Sequence, residues 1–492
     1  MCGWIAHLTQ VTWKQGNHNL KPANQPSLKA LRTPKNRPRQ PPCGSRRPQQ
    51  FGLDFLNLNS GIGLGFNKLL RFMARNDLFH CMTYIRPRWF TRNLESALRV
   101  LPVTVVTGAR QTGKTTLVKS LGPSRAFFTL DEVGILDQAE RRPEALLSSP
   151  PVTLDEVQRA PSFLLAVKRA VDSHRNAGDF LLTGSANLLL MGHVADTLAG
   201  RAIYLELPPF CPAEWQQRQD ALTPLDRLFD PGFDFREWPA ETGNWPAWLL
   251  RGGFAPALSI SADADRALWF SAYIQTYLER DLRQLSAVSS LPDFQRVMAL
   301  AAQRSGRLLN QADIARDAAL PHATAHRYLN LLETGCLLTR IRPFATNPNV
   351  ALVKTPKLLW ADCGLAAALA GIKTTADAAN RPDAGFWLEQ TLFQTLQTWR
   401  ALDPIERKLH FWRDRPGHEV DFVLEQAGKL VALEIKTSST VTSSDAAGIR
   451  AFRDSLKKNQ KLVRGVVLHA GQARPLDTGL MVLPWGWMVA AG

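Results

Sequence analysis

The sequence predicts an α/β protein: a parallel sheet covered by helices, then a small helical module, then a second α/β region. Three observations lead there. Short β-branched runs alternate with helical stretches between residues 82 and 215. The loop GARQTGKTT, Gly108 to Thr116, lies between one such run and a helix. Near the C-terminus, VDFVLE and LVALEIK read as two strands of a hairpin that carries charges in an apolar setting.

The first 81 residues stand apart. They are rich in Pro, Gln, Asn and Arg, as in TPKNRPRQPPCGSRRPQQ, with too little apolar surface to offset the entropy of ordering. Residues 1–81 therefore read as a disordered basic extension, and Met82 as an alternative natural start. They hold twelve Lys and Arg against two Asp, so most of the net charge of +16 lies in this arm and the body is only mildly basic. Charge alone is weak evidence for a nucleic-acid partner. At 492 residues and 45% apolar composition the whole is an ordinary multidomain globular chain. Its six cysteines form no CxxC pair, which argues against structural zinc or a disulfide framework and fits a reducing, cytoplasmic setting. No apolar run is long enough to span a membrane; LLWADCGLAAALAGI is interrupted by Asp362.

The first domain spans residues 82–215. Its expected strands are VTVVT (103–107), AFFTL (126–130), PVTLD (151–155), DFLLTG (179–184) and IYLEL (203–207), with amphipathic helical stretches between them. Gly108, Ala109, Arg110, Gln111, Thr112, Gly113, Lys114, Thr115 and Thr116 fit G-x-x-x-x-G-K-[ST]. Glycines let backbone amides curl around phosphate oxygens, and the helix that follows adds its positive end. Lys114 would reach the β- and γ-phosphates of ATP, and the Thr115 hydroxyl would take a place on Mg²⁺.

Hydrolysis also needs carboxylates, and TLDEV occurs twice, at 129–133 and 153–157. The second lies on the third strand, expected to neighbour the loop-bearing one. It assigns Asp155 to the metal and Glu156 to the attacking water, leaving Asp131 and Glu132 to cap a helix. Ser185 reads as a γ-phosphate sensor or a helix cap, and Arg201 as an arginine finger or a surface ion pair; both remain open.

GARQTGKTTL, TLDEVQRAPSFLLAVKRAVD, LLTGSANLLL, LAGRAIYLELPPF, RGGFAPAL and YLERDLRQL together resemble the prokaryotic AAA-type ATP-binding proteins. In that group the C-terminal half is a domain of unknown function ending in a restriction-endonuclease-like fold. The resemblance covers roughly Tyr84 to Thr437. It implies an AAA fold with ATP and Mg²⁺, and it supports Lys114, Thr115, Asp155 and Glu156.

Residues 216–290 read as a helical lid or linker. Residues 291–345 carry a winged helix-turn-helix pattern: Leu309, Ile314 and Ala315 line a first helix, and Ala325, Tyr328, Leu329 and Leu332 a second. Gly335 would break the second helix, and LLTRIRPF would form the wing. His322, Thr324, His326 and Arg327 would then face DNA bases or phosphates, although such modules also pack on ATPase domains without touching DNA.

Residues 346–492 form the last region. With Ala427 and Gly428 at the turn centre, Gln426 opposes Lys429 and, counting outward, Asp421 opposes Glu434. Facing residues of an antiparallel pair lie about 5 Å apart at Cβ. Lys436 shares a strand face with Glu434. Asp421 and Glu434 could hold Mg²⁺, Lys436 could orient or activate water, and Glu389 could add a further metal-binding carboxylate. The arrangement resembles PD-(D/E)xK nucleases, with Val420 where the pattern has proline. A solvated face with a salt bridge is the plain alternative.

The expected activity is ATP hydrolysis by an AAA-type domain that controls a nuclease-like half acting on nucleic acid, DNA more than RNA, in a chain that could assemble with copies of itself. The alternative is an ATP-dependent regulatory switch whose nuclease-like domain binds without cutting.

Overall fold

The computed structural model describes residues 86–185, 198–216, 223–237, 243–276, 288, 290–345, 354–458 and 460–489, all within one compact unit, Phe72–Gly492. The reading of residues 1–81 falls outside the described residues.

The first sheet has five parallel strands: β1 (Val103–Thr107), β2 (Ala126–Thr129), β3 (Val152–Asp155), β4 (Phe180–Thr183) and β5 (Ala202–Glu206), in the order β2-β3-β4-β1-β5. β1, β3 and β4 are buried at every position, while β2 and β5 are more exposed, as edges are. Alternate side chains feed opposite faces. Val103, Val105, Leu154 and Leu182 pack with Phe163 and Val167 of the Phe163–Ser173 helix, while Val106, Leu181 and Leu205 pack with Leu117, Val118 and Leu94.

One expectation about order is corrected. β3 does not neighbour β1; β4 lies between them, with Val105 opposite Leu182 and Leu154 opposite the same Leu182. Strands buried on both faces read alike in sequence, so the sequence carries no signal of their order.

The C-terminal half is built on an eight-stranded mixed sheet. Its strands are β6 (Leu338–Pro343), β7 (Lys357–Trp360), β8 (Arg407–Arg413), β9 (Glu419–Gln426), β10 (Lys429–Ile435), β11 (Lys461–His469), β12 (Arg474–Asp477) and β13 (Leu480–Pro484), ordered β12-β13-β11-β10-β9-β8-β6-β7. The Ala384–Ala401 helix packs against it, and every residue from Trp387 to Trp399 is buried. The polar side chains of a helix buried all round have protein groups rather than water as partners. Gln390 exchanges two 2.8 Å hydrogen bonds with the Trp360 backbone.

The helical module contains helices Leu291–Gln303, Gln311–Asp317 and His322–Thr334. Leu309, Ile314, Ala315, Ala325, Tyr328, Leu329 and Leu332 are all buried. Gly335 ends the last helix with an ordinary right-handed φ of −70°, and the left-handed residue after it is Cys336, at φ 55°. β6 follows, pairing antiparallel with β7 and, at Arg342 and Pro343, parallel with β8. The strand expected as a wing thus joins the C-terminal sheet.

Candidate functional site

The phosphate loop follows β1 and enters the Lys114–Lys119 helix through Gly113, whose φ of 92° suits glycine. Gly108, at φ 142°, passes so close to β5 that an added Cβ would lie 2.5 Å from the Leu207 carbonyl oxygen. Glycine there is a steric requirement. Lys114 is buried, and its ammonium donates to the carbonyls of Gly108 (3.0 Å) and Ala109 (2.9 Å). Burial lowers its pKa, opposed by the charges of Glu156 and Asp155.

The loop is braced from both inside and outside its own domain. The Gln111 carbonyl accepts from the Ala255 amide (3.1 Å), and the Thr112 carbonyl from Arg88 (2.9 Å). The Tyr273 hydroxyl lies 3.5 Å from the Arg110 carbonyl, and Ala109 belongs to the C-terminal core. Thr112 Oγ1 donates back to the Ala109 carbonyl (3.0 Å), and Thr116 sits in the first turn of the helix. RGGFAPAL supplies this brace: an added Cβ at Gly253 would overlap the Phe210 carbonyl oxygen and the Gln394 amide.

Asp155, at the end of β3, is 3% exposed and reaches across to the loop. Thr115 Oγ1 donates to its carboxylate at 3.0–3.1 Å, and the hydroxyls of Thr183 and Thr129 also donate to it. The two threonines, one from each neighbouring strand, had not been singled out from sequence. Glu156 adopts φ 59° and accepts from the Gln158 amide. The first TLDEV contributes differently: Glu132 occupies a helix N-cap without a side-chain cap bond, and Asp131 pairs with Arg159 at 2.7 Å.

Ser185 stands just past β4 beside the loop strand, and its buried Oγ has no hydrogen-bond partner among the described residues. Arg201 is elsewhere. Its carbonyl accepts from Val103, the first residue of β1, so it lies at the opposite end of the sheet from the loop. Its guanidinium pairs with Asp172 at 2.7 Å. Among the sequence candidates, Lys114, Thr115, Asp155, Glu156 and Ser185 converge and Arg201 does not. The orphaned Ser185 hydroxyl, the close-fitting Gly108 and the Thr115–Asp155 pair together suit a triphosphate with its cation.

A second cluster lies in the C-terminal sheet. The β9–β10 hairpin turns at Ala427 (φ 48°) and Gly428 (φ 76°), pairing Gln426 with Lys429 and Phe422 with Leu433. Continuing that register sets Asp421 against Glu434. Asp421 accepts the Ile435 amide at 2.7 Å, and Lys436 pairs with Glu434 at 2.7 Å. Sequence reading missed the centre of this group. Lys357, on β7, is 1% exposed, with its ammonium 2.6 Å from Glu389, 3.6 Å from Glu419 and 3.7 Å from Asp421.

Burial, and then the Asp421 charge, push Glu389 and Glu434 each up to about 8. Burial lowers the Lys357 pKa, but Glu389, Asp421 and Glu419 outweigh it and leave it raised. Among the described residues no three His, Cys, Asp or Glu side chains are arranged to hold a metal ion. The ammonium of Lys357 stands among the carboxylates of Glu389, Glu419 and Asp421.

On the helical module, His322, His326 and Arg327 are exposed and Thr324 is partly buried. His326 is held by Gln311 (2.7 Å) and Asn330 (3.0 Å), and its ring stacks with His322 at 6.4 Å between centroids. No described helix is long and apolar enough to cross a membrane.

Comparison with known proteins follows this geometry. Residues 101–216 match an AAA domain, residues 242–376 a domain of unknown function (DUF8612), and residues 384–488 another (DUF4143). Two uncharacterized mycobacterial proteins, Rv2008c of Mycobacterium tuberculosis and Mb2031c of Mycobacterium bovis, are each 30% identical over 417 residues. The match covers 84% of this chain and 86% of theirs. Among solved structures, the Walker-type ATPase PABY2304 of Pyrococcus abyssi has 17% identity and a TM-score of 0.38, over 58% of this chain and 96% of that one. CDC6P from Pyrobaculum aerophilum has 16% identity and a TM-score of 0.22, over 60% and 97%.

Proposed function

The chain belongs to the same family as the mycobacterial proteins Rv2008c and Mb2031c, and we propose that it is an AAA-type ATPase whose nucleotide state governs its C-terminal half. The observation that carries this reading is the shared wiring of the loop. Thr115 meets Asp155 within the ATPase sheet, while the Gln111 carbonyl is held by Ala255 of the C-terminal half.

Gly108–Thr116 would hold the triphosphate, with Thr115 and Asp155 beside the Mg²⁺. When bound, ATP supplies the bond to be split and the cation neutralises phosphate charge. Lys114 is the amine within reach of the phosphates. Glu156, steadied by Gln158, orients a water molecule, and Ser185 offers a hydroxyl near the end of the loop strand. Arg201 has no part in this reading. The partner is nucleic acid, DNA in preference to RNA, engaged through the His322–Thr334 helix as a winged helix-turn-helix and through a nuclease-like C-terminal domain.

The test is phosphate release by the purified full-length protein with ATP and Mg²⁺, with and without DNA or RNA. Stimulation by one of them identifies the partner. Absence of any ATP turnover sinks the ATPase reading.

A second reading concerns the C-terminal chemistry. Lys357 among Glu389, Glu419 and Asp421 favours a domain that binds without cutting, because the ammonium occupies the centre of the carboxylate group. Mg²⁺-dependent cleavage by the wild type that disappears in the Asp421→Ala, Glu434→Ala double variant would reverse it.

A further inference from the structure

Beside the phosphate loop, between β5, β6, β8 and the Ala384–Ala401 helix, lies a cavity of about 450 Å³. None of Gly108–Thr116, Asp155 or Glu156 lines it. Arg340, Arg342, Arg400, Arg407 and Lys408 do, with Glu206 the acid among the lining residues. Some of this charge is already answered. Arg340 pairs with Glu333 (3.2 Å), Arg407 with Asp226 (2.9 Å), and Lys408 faces Glu425 at 3.8 Å. The Arg400 guanidinium has no hydrogen-bond partner among the described residues and faces the charge of Glu206.

Neutral groups at the wall are also unsatisfied, among them the His410 ring nitrogens. Gln397 is 2% exposed, lines the cavity, and its Oε1 has no hydrogen-bond partner among the described residues. The same holds for the hydroxyl of Tyr204. A buried carbonyl left unpaired costs about 1–3 kcal/mol, so a lining side chain that keeps one is suited to a ligand that donates to it. Guanidinium groups beside it suit phosphate oxygens. The volume lies in the range of small-molecule sites, roughly 300–1,000 Å³.

We infer that this cavity is a second ligand site, separate from the phosphate loop, that takes a nucleoside phosphate: its phosphate on Arg400 and Arg342, and a base amine or sugar hydroxyl on Gln397 Oε1. The same chemistry comes from a free nucleotide or from the terminal nucleotide of a nucleic-acid strand. The site touches both halves of the molecule. Glu206 pairs with Thr107, the residue before Gly108, and also faces the buried thiol of Cys336. Arg400 lies on the helix that carries Glu389. A ligand bound between Glu206 and Arg400 therefore touches the ATPase sheet and the C-terminal half at once. The inference does not depend on ATP turnover.

The test is calorimetric titration of the full-length Lys114→Ala protein, in which the phosphate loop is disabled. The probes are AMP, GMP, CMP and UMP, a 5′-phosphorylated hexanucleotide, and inorganic phosphate. One saturable site is expected, weakened at least tenfold by Arg400→Gln and by Gln397→Leu. Binding of a mononucleotide identifies the free ligand; binding of the hexanucleotide alone identifies the strand end. Melting temperatures check that the variants fold, and Arg342→Ser, at the exposed rim, gives the same readout if Arg400→Gln does not. No saturable binding, inorganic phosphate binding as tightly as the nucleotides, or an affinity unchanged in the folded variants overturns the inference.

Discussion

Thr115 Oγ1 lies 3.1 and 3.0 Å from the two carboxylate oxygens of Asp155, although β4 separates their strands. The loop and its helix lean across the end of β4, whose Thr183 also donates to Asp155. Removing the Asp155 charge should therefore disturb cation binding more than nucleotide binding. Asp155→Asn is expected to raise the Mg²⁺ requirement for ATP turnover by about 10–100-fold, measured as phosphate release against Mg²⁺ concentration. An unchanged requirement would detach Asp155 from the cation.

Glu156 is expected to act on water. Glu156→Gln keeps the size of the side chain and its contact with Gln158 while removing the base. ATP affinity should hold, and turnover should fall by about 10²–10⁴-fold. Equal turnover in the variant and the wild type assigns Glu156 a structural role only.

Lys114 is buried against its own loop, where its ammonium donates to the Gly108 and Ala109 carbonyls. Lys114→Ala is expected to abolish binding of a fluorescent ATP analogue without a large change in melting temperature. Retained affinity would count against the whole phosphate-loop assignment.

Gly253 fits where no side chain can, between the Phe210 carbonyl and Gln394. Gly253→Ala should overpack the seam between the ATPase sheet and the C-terminal half, lowering stability by about 1–3 kcal/mol. Thermal denaturation reads this directly, and turnover should fall with it because the next residues of RGGFAPAL hold the Gln111 carbonyl.

Glu389 and Glu434 are each pushed up to about 8, mainly by burial. An acid whose folded pKa exceeds its unfolded value binds more protons when folded, so its contribution to stability falls as pH rises from about 4.5 to 8. The Lys357 and Lys436 pKa values are raised, so both remain charged through this window. Stability is expected to decline across that range, and Glu434→Gln should flatten the decline. Lys357→Met should steepen it, by leaving Glu389 and Asp421 without their counter-charge, at a cost of about 3–5 kcal/mol near neutral pH. Denaturant melts at pH 5, 6.5 and 8 separate these outcomes; equal slopes in all three proteins would remove the carboxylate cluster from the pH response.

The sequence by itself determined what neighbouring residues decide. The strand–loop–helix around GARQTGKTT is local, since glycine positions, a lysine and a following apolar helix sit within a dozen residues of one another. The hairpin register is local too: once Ala427 and Gly428 turn the chain, period-two pairing brings Asp421 opposite Glu434 without reference to the rest of the fold. The buried faces of the Gln311–Asp317 and His322–Thr334 helices followed from helical spacing in the same way. Tertiary structure alone decided the rest. β1, β3 and β4 are interchangeable as apolar runs, so only packing sets β4 between the other two. Arg201 and Ser185 both flank strands, and only the direction of those strands sends one to the far end of the sheet and the other to the loop. Lys357, in an unremarkable KLLW, becomes the counter-ion of acids 32 and 64 residues away. A buried charge is settled by which carboxylates the completed fold brings within a few ångströms of it, and no spacing along the chain encodes that.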